Sequence, residues 1–148
     1  MRTGSEVAVF VTRRQGTEVL VVRRSPDQGG YWHVIAGGVE AGESPRAAAE
    51  RELLEESGLI AEVREGVEVV EYAYPLTEEP AERQQLYDPA LVQVAVTCFR
   101  VDAPDDWEPV LDWEHDSYLW CDPKTAAETL RWPETAQALS YLVPSRPT

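Results

Sequence analysis

The sequence is short of cysteine, of positive charge and of long apolar runs, and each shortage removes a class of protein. Its two cysteines, Cys98 and Cys121, cannot build a disulfide framework, and they lack the paired spacing of a zinc site. The longest apolar run near the start, Val7 to Val11, is broken by Thr12 and Arg13. That is too short for a membrane helix or the core of a signal peptide, so a soluble cytoplasmic protein with no membrane partner is expected. Lys and Arg number 13 against 27 Asp and Glu, a formal net charge of -14. A chain this acidic repels phosphate polymers, which argues against a nucleic acid polymer as partner. Small phosphates remain accessible if divalent cations sit between them and the carboxylates.

With 148 residues, 43% of them hydrophobic and 27% charged, the chain has the size and composition of one folded domain, 1–148. No internal repeat or linker divides it. Glu6 to Thr12 and Glu18 to Arg24 are β-rich runs joined by Arg13-Arg14-Gln15-Gly16-Thr17, a hairpin signal. Tyr31 to Ile35 is a short aromatic and β-branched stretch that ends at Ala36-Gly37-Gly38. Ser44 and Pro45 supply an N-cap and a first-turn proline for a helix through about Ser57, and Gly58 stops it. Val67 to Tyr74 and Leu91 to Val101 read as further strands, the second apolar enough for a central place in a sheet. Between them, residues 75–89 make a polar loop long enough to suggest binding. Ser117 to Trp120 is another strand, and Pro123 to Leu142 holds one or two helices interrupted at Trp132-Pro133. Strands mixed with two helical regions predict an α/β fold, a mixed sheet between helices in an α/β/α sandwich.

The informative segment runs from Gly37-Gly38-Val39-Glu40-Ala41-Gly42-Glu43 into the helix that carries Arg51-Glu52-Leu53-Leu54-Glu55-Glu56-Ser57-Gly58-Leu59. At 3.6 residues per turn, Glu52, Glu55 and Glu56 fall on one face. Like charges at that spacing cost a helix a few tenths of a kcal/mol per pair, so gathering three carboxylates is unfavourable unless a cation neutralises them. Hard oxygen ligands on a rigid element suit Mg²⁺ or Mn²⁺, which in turn favour a phosphate-bearing ligand. Arg51 precedes Glu55 by four residues and is also placed to reach Glu43, holding the glycine-rich loop against the helix. The bland alternative is a solvated acidic face on a surface helix.

The spacing decides between these readings. Gly37, Glu43, Arg51, Glu52, Leu53, Glu55, Glu56, Gly58 and Leu59 fill every fixed position of a 23-residue pattern. The pattern is glycine, five residues, glutamate, seven residues, then Arg-Glu-aliphatic-any-Glu-Glu-any-Gly-aliphatic, and it resembles the Nudix hydrolase signature. That resemblance implies a Nudix-type α/β/α sandwich and an Mg²⁺- or Mn²⁺-dependent pyrophosphohydrolase acting on a small-molecule nucleotide. It implies metal ligation by Glu52, Glu55 and Glu56, with a backbone carbonyl from Ala36 or Gly37. Gly37, Glu43, Arg51 and Gly58 take structural roles. A homodimer is among the assemblies it allows.

The family usually recruits one more carboxylate from outside the pattern. Glu114, in Asp112-Trp113-Glu114-His115-Asp116-Ser117-Tyr118-Leu119-Trp120, is the candidate, as a metal ligand and alongside Glu55 and Glu56 as a catalytic residue. Asp112 and Asp116 are substitutes, and His115 reads as a packing residue. The Glu-His segment resembles dihydroneopterin triphosphate pyrophosphatases and dinucleoside tetraphosphate hydrolases. Arg23-Arg24 and Tyr31-Trp32 resemble placements in the first of these branches. Arg23 would reach a terminal phosphate, and Tyr31 and Trp32 would stack on a base or pterin ring; the alternatives are an exposed arginine pair and two core aromatics. The expected reaction is cleavage of a nucleoside or dihydroneopterin triphosphate to the monophosphate and pyrophosphate. Dinucleoside tetraphosphate or ADP-ribose hydrolysis, or nucleotide sensing without catalysis, stand as alternatives. Isomerisation of an allylic diphosphate would need a catalytic cysteine, and Cys98 and Cys121 both read as structural.

Overall fold

Strand β1 (Ser5–Arg13) lies inside one mixed sheet, and its sequence explains why. Val7, Val9 and Val11 belong to one core layer and Ala8 and Phe10 to the other, so the strand is buried on both faces and reads as an unbroken apolar run. The computed structural model describes residues 2–63 and 70–144. The remaining strands are β2 (Glu18–Arg24), β3 (Trp32–His33), β4 (Ile35–Gly38), β5 (Val70–Pro75), β6 (Gln93–Asp102) and β7 (His115–Cys121). They follow the order β3-β2-β1-β6-β5, with β4 also paired to β1 and β7 to β2. β1 and β6 are parallel from Ser5↔Ala95 to Thr12↔Asp102, while the other pairs are antiparallel.

Helix α1 (Pro45–Ser57) covers one face through Ala48, Ala49 and Leu53. Its limits are set locally: Ser44 Oγ accepts from the Ala47 N–H at 3.1 Å, and Gly58, at φ 78°, donates to the Leu54 carbonyl at 2.9 Å. The short helix α2 (Ala81–Gln84) lies beyond β5. Helices α3 (Pro123–Thr129) and α4 (Pro133–Leu142) cover the opposite face with Ala126, Leu130, Leu139 and Leu142. This is the predicted α/β/α sandwich, with the helix break at Trp132-Pro133.

Several elements differ from the sequence reading, β7 for instance beginning at His115 and not Ser117. The run Tyr31 to Ile35 divides at Val34 into β3 and β4, and the glycines continue as strand. Ala36, Gly37 and Gly38 pair with Ala8, Val7 and Glu6. The strand expected from Leu91 starts at Gln93, because the Leu91 N–H closes a turn on the Asp88 carbonyl at 3.0 Å. The stretch 75–89, expected as a polar loop, holds a 3-10 turn (Leu76–Glu78) and α2, and Leu76 and Tyr87 are core residues. The expected strand residues Val67, Glu68 and Val69 lie outside the described residues.

Away from the glutamate helix, the end of β1 is tied to β7. Arg13 lies 4.0 Å from the Trp120 ring centroid and donates to Glu108 at 2.7 Å. Glu108 also accepts from Tyr118 (2.9 Å) and Trp120 (3.0 Å). Arg13 chiefly, then Trp120 and Tyr118, hold its carboxyl down at about 2. A depressed carboxylate stabilises the fold above its unfolded pKa and loses that contribution as pH falls through the folded one. Glu108→Gln is therefore expected to lower Tm by a constant amount above about pH 5. The gap to wild type should shrink as acid is added towards pH 2; a gap independent of pH would show that the carboxylate charge contributes nothing.

Candidate active site

The glycine strand β4 and helix α1 meet at one end of the sheet, where a cavity of ≈ 230 Å³ opens. Ala36, Gly37, Gly38, Glu52, Glu56 and Glu114 lie on its wall. Gly37 has no side chain for a reason of space: a Cβ there would run into the Glu52 carboxylate. Arg51 holds the two elements together. It donates to both Glu43 oxygens (2.9 and 3.0 Å), to the Gly38 carbonyl (2.9 Å) and to Glu52 (2.8 Å). Glu43 closes the loop by accepting from the Glu40 N–H at 3.1 Å. The carboxylates keep the Arg51 guanidinium strongly charged, and Arg51 in turn lowers the Glu43 pKa.

Glu56 differs from these neighbours. It is 3% exposed, and its carboxyl faces the Ala36 N–H at 3.4 Å and His115 Nε2 at 3.8 Å. Among the described residues no Arg or Lys reaches it. Burial, reinforced by Glu52 and then Glu114, pushes its pKa well above the ordinary carboxylate range. His115 is buried and also meets Asp112 at 3.1 Å through Nδ1, so it packs and orients as expected.

Glu55 is not on the cavity wall. Its side chain is 55% exposed and touches Arg51 at 3.4 Å. It lies about 100° around the helix from Glu56, and with Leu53 and Ala49 set against the sheet that angle carries it outward. Arg23 is also elsewhere: it forms a two-pronged pair with Asp116 (2.8 and 3.0 Å) on the exposed β2–β7 surface. Successive side chains of a strand point to opposite faces, and it is Arg24, not Arg23, that lines the cavity, with a register shift between the two in that ladder. Trp32 packs against the core under α3 and α4, whereas Tyr31 lines the cavity. Asp112 and Asp116 are both engaged, with His115 and Arg23, which leaves Glu114 as the carboxylate of this segment on the wall. Neither Cys98 nor Cys121 borders the cavity, and burial raises the Cys98 thiol to about 12.

Several wall residues were not singled out from the sequence. Tyr74, Glu79 and Arg83 come from β5, the turn after it and α2. Tyr74 donates to Glu79 (2.6 Å) and to Glu6 (3.2 Å), and Arg83 donates to Glu79 (3.0 Å). Trp132, the residue before α4, meets Tyr31 edge-on at 6.2 Å. Arg2 reaches Glu6 at 3.0 Å. Two sequence signals pointed near them: the polar loop 75–89, long enough to suggest binding, which contains Glu79 and Arg83, and the helix break at Trp132-Pro133.

A sheet between one glutamate-bearing helix and a helical pair, with a glycine strand and three carboxylates at a single cavity, defines the class of protein. The NUDIX domain family matches residues 2–142, and the chain belongs to that family. An octanoyltransferase of Myxococcus xanthus is 41% identical over 130 residues, 88% of this chain but 33% of that protein. A CTP pyrophosphohydrolase of Escherichia coli (strain K12) is 30% identical over 124 residues, covering 83% of this chain and 79% of that protein. The structure of the E. coli dihydroneopterin triphosphate pyrophosphohydrolase shares the fold, with a TM-score of 0.77 over 96% of each chain at 24% identity. The chain spans about a third of the length of the first curated relatives it matches.

Proposed function

We propose that this chain is a divalent-metal-dependent pyrophosphohydrolase that cleaves a nucleoside or similar heterocyclic triphosphate to the monophosphate and pyrophosphate. One observation carries this: Glu52, Glu56 and Glu114 share a cavity with the β4 backbone, and among the described residues no Arg or Lys reaches the buried Glu56 carboxyl. Carboxylates and a backbone carbonyl are the donor set that Mg²⁺ or Mn²⁺ takes. Glu52, Glu56 and Glu114 are the residues of this cavity that would hold such an ion, although among the described residues they do not form a closed metal cluster. Glu55, exposed beside them, is the further ligand that the family resemblance implies. When bound, such ions neutralise phosphate charge and lower the pKa of a coordinated water.

The protein's own groups do the positioning. Arg51 fixes Glu52 relative to the glycine strand, and the missing side chain at Gly37 leaves room for the Glu52 carboxylate against β4. Glu56 and Glu114 are the candidates to take the proton from the attacking water. Tyr31 and Trp132 give the far end an aromatic wall for a ring. Likeness to the CTP pyrophosphohydrolase, which extends over most of both chains, favours a triphosphate over a dinucleoside or sugar-linked diphosphate.

The reading is tested by rates with and without EDTA on nucleoside triphosphates, dihydroneopterin triphosphate, ADP-ribose and diadenosine tetraphosphate. Metal-dependent turnover of a triphosphate is expected to dominate; preference for either of the last two would overturn the substrate class. Glu114→Gln is expected to lower kcat by roughly 10–100-fold, the size of a lost ligand or general base, with Tm unchanged. A normal rate in that variant would remove Glu114 from the chemistry.

A further inference from the structure

The aromatic end of the cavity contains an imidazole that hydrolysis itself does not use. His33 is held in β3 opposite Val22, and its ring lines the cavity. Its Nδ1 is shut off from solvent and has no hydrogen-bond partner among the described residues. Buried polar atoms in folded proteins are nearly always paired, so an unpaired nitrogen in a residue that lines a cavity points to another molecule's polar group completing the bonding of that imidazole. Burial first, then Arg24, His115 and Arg83, lower the His33 pKa to about 3. The ring is therefore neutral at physiological pH, with one nitrogen donating and the other accepting.

Its surroundings narrow what the partner is. Tyr31 stands edge-on to His33 at 6.1 Å, and Trp132 stands edge-on to Tyr31 at 6.2 Å. Arg24 and Arg131 lie 5.8 and 5.6 Å from the Tyr31 centroid, and Arg24 is spent on the Gln28 carbonyl at 3.0 Å. Arg131 is not on the cavity wall and Arg24 is already engaged, so a neutral imidazole among aromatic rings matches a flat, uncharged ring with a polar edge better than a phosphate. We propose that His33 hydrogen-bonds the polar edge of the substrate's heterocycle and is a specificity-determining residue of this cavity. The assignment rests on the reading above that this cavity is the substrate site.

The chain has two histidines, His33 and His115, so its imidazole ¹⁵N spectrum is simple to assign. The wild-type protein is titrated separately with CMP, UMP, AMP, GMP and, as a ringless control, inorganic tripolyphosphate. At least one nucleotide should move the His33 ring nitrogens, while tripolyphosphate leaves them in place. In kinetics, His33→Leu should raise KM for the preferred ring-bearing triphosphate by about tenfold and change kcat by less than about twofold. His33→Gln, which keeps a donor and an acceptor, should recover part of the loss.

Unmoved His33 nitrogens would overturn the assignment, whether the nucleotides bind or not. So would a His33→Leu variant whose kcat falls while KM is unchanged. If the wild type hydrolyses no triphosphate and a nucleotide still moves the His33 resonances, the proposed reaction fails and the His33 assignment stands.

Discussion

Glu56→Gln is expected to lower kcat by on the order of 10²–10³-fold while leaving the fold intact or firmer. The variant keeps the shape of the side chain and its contact with the Ala36 N–H, but it removes the charge a divalent ion would meet. The stability side follows from the raised pKa. A carboxyl whose folded pKa exceeds its unfolded value binds protons on folding, so stability falls as pH rises between the two values and stays reduced above both. At pH 8 in EDTA, Tm of the glutamine variant should therefore equal or exceed that of the wild type. Added Mg²⁺ or Mn²⁺ should raise Tm of the wild type and leave the variant nearly unmoved, because only a species that binds the folded state stabilises it. Normal turnover in the variant, or a Tm several degrees lower in EDTA, would contradict the assignment.

Arg51→Met is expected to be the most destabilising single change at the site. Methionine retains the aliphatic stem but leaves Glu43 and Glu52, whose side chains are 16% and 12% exposed, without their cation. It also abandons the Gly38 carbonyl. Removing one partner from a partly buried charge network costs about 2–3 kcal/mol, roughly 4–12 °C in Tm for a domain this size. Activity should fall as well, because Glu52 and the glycine strand lose their common anchor. A Tm within about 1 °C of wild type would show that this network is solvent-screened and holds nothing in place.

The contrast between these two glutamates shows how far a linear pattern reaches. Helix α1 was legible to the residue because its limits are local: Ser44, Pro45 and Gly58 are all within a turn of what they cap. The Arg51–Glu43 pairing was legible for a similar reason, since both ends lie in one short segment. The shared face of Glu52, Glu55 and Glu56 was only partly right. Periodicity places residues around a helix but does not say which edge of the stripe the sheet turns outward, and that edge was Glu55.

At the aromatic end the sequence offered less. Choosing between Arg23 and Arg24 depended on which face of β2 borders the cavity, Arg23 instead pairing with Asp116, 93 positions away. The wall built from Glu6, Tyr74, Glu79 and Arg83 joins distant segments, Glu6 and Tyr74 being 68 positions apart, and no local signal announces such a pairing. His33 sat inside a run that read simply as strand, and what distinguishes it is an Nδ1 without a hydrogen-bond partner among the described residues.

The most direct test of the central claim is ³¹P NMR of the products when CTP and the other nucleoside triphosphates are incubated with the protein and Mg²⁺. The account predicts paired growth of nucleoside monophosphate and pyrophosphate signals, abolished by EDTA and by Glu56→Gln. Nucleoside diphosphate with orthophosphate, or unchanged triphosphate in the presence of tight nucleotide binding, would contradict it.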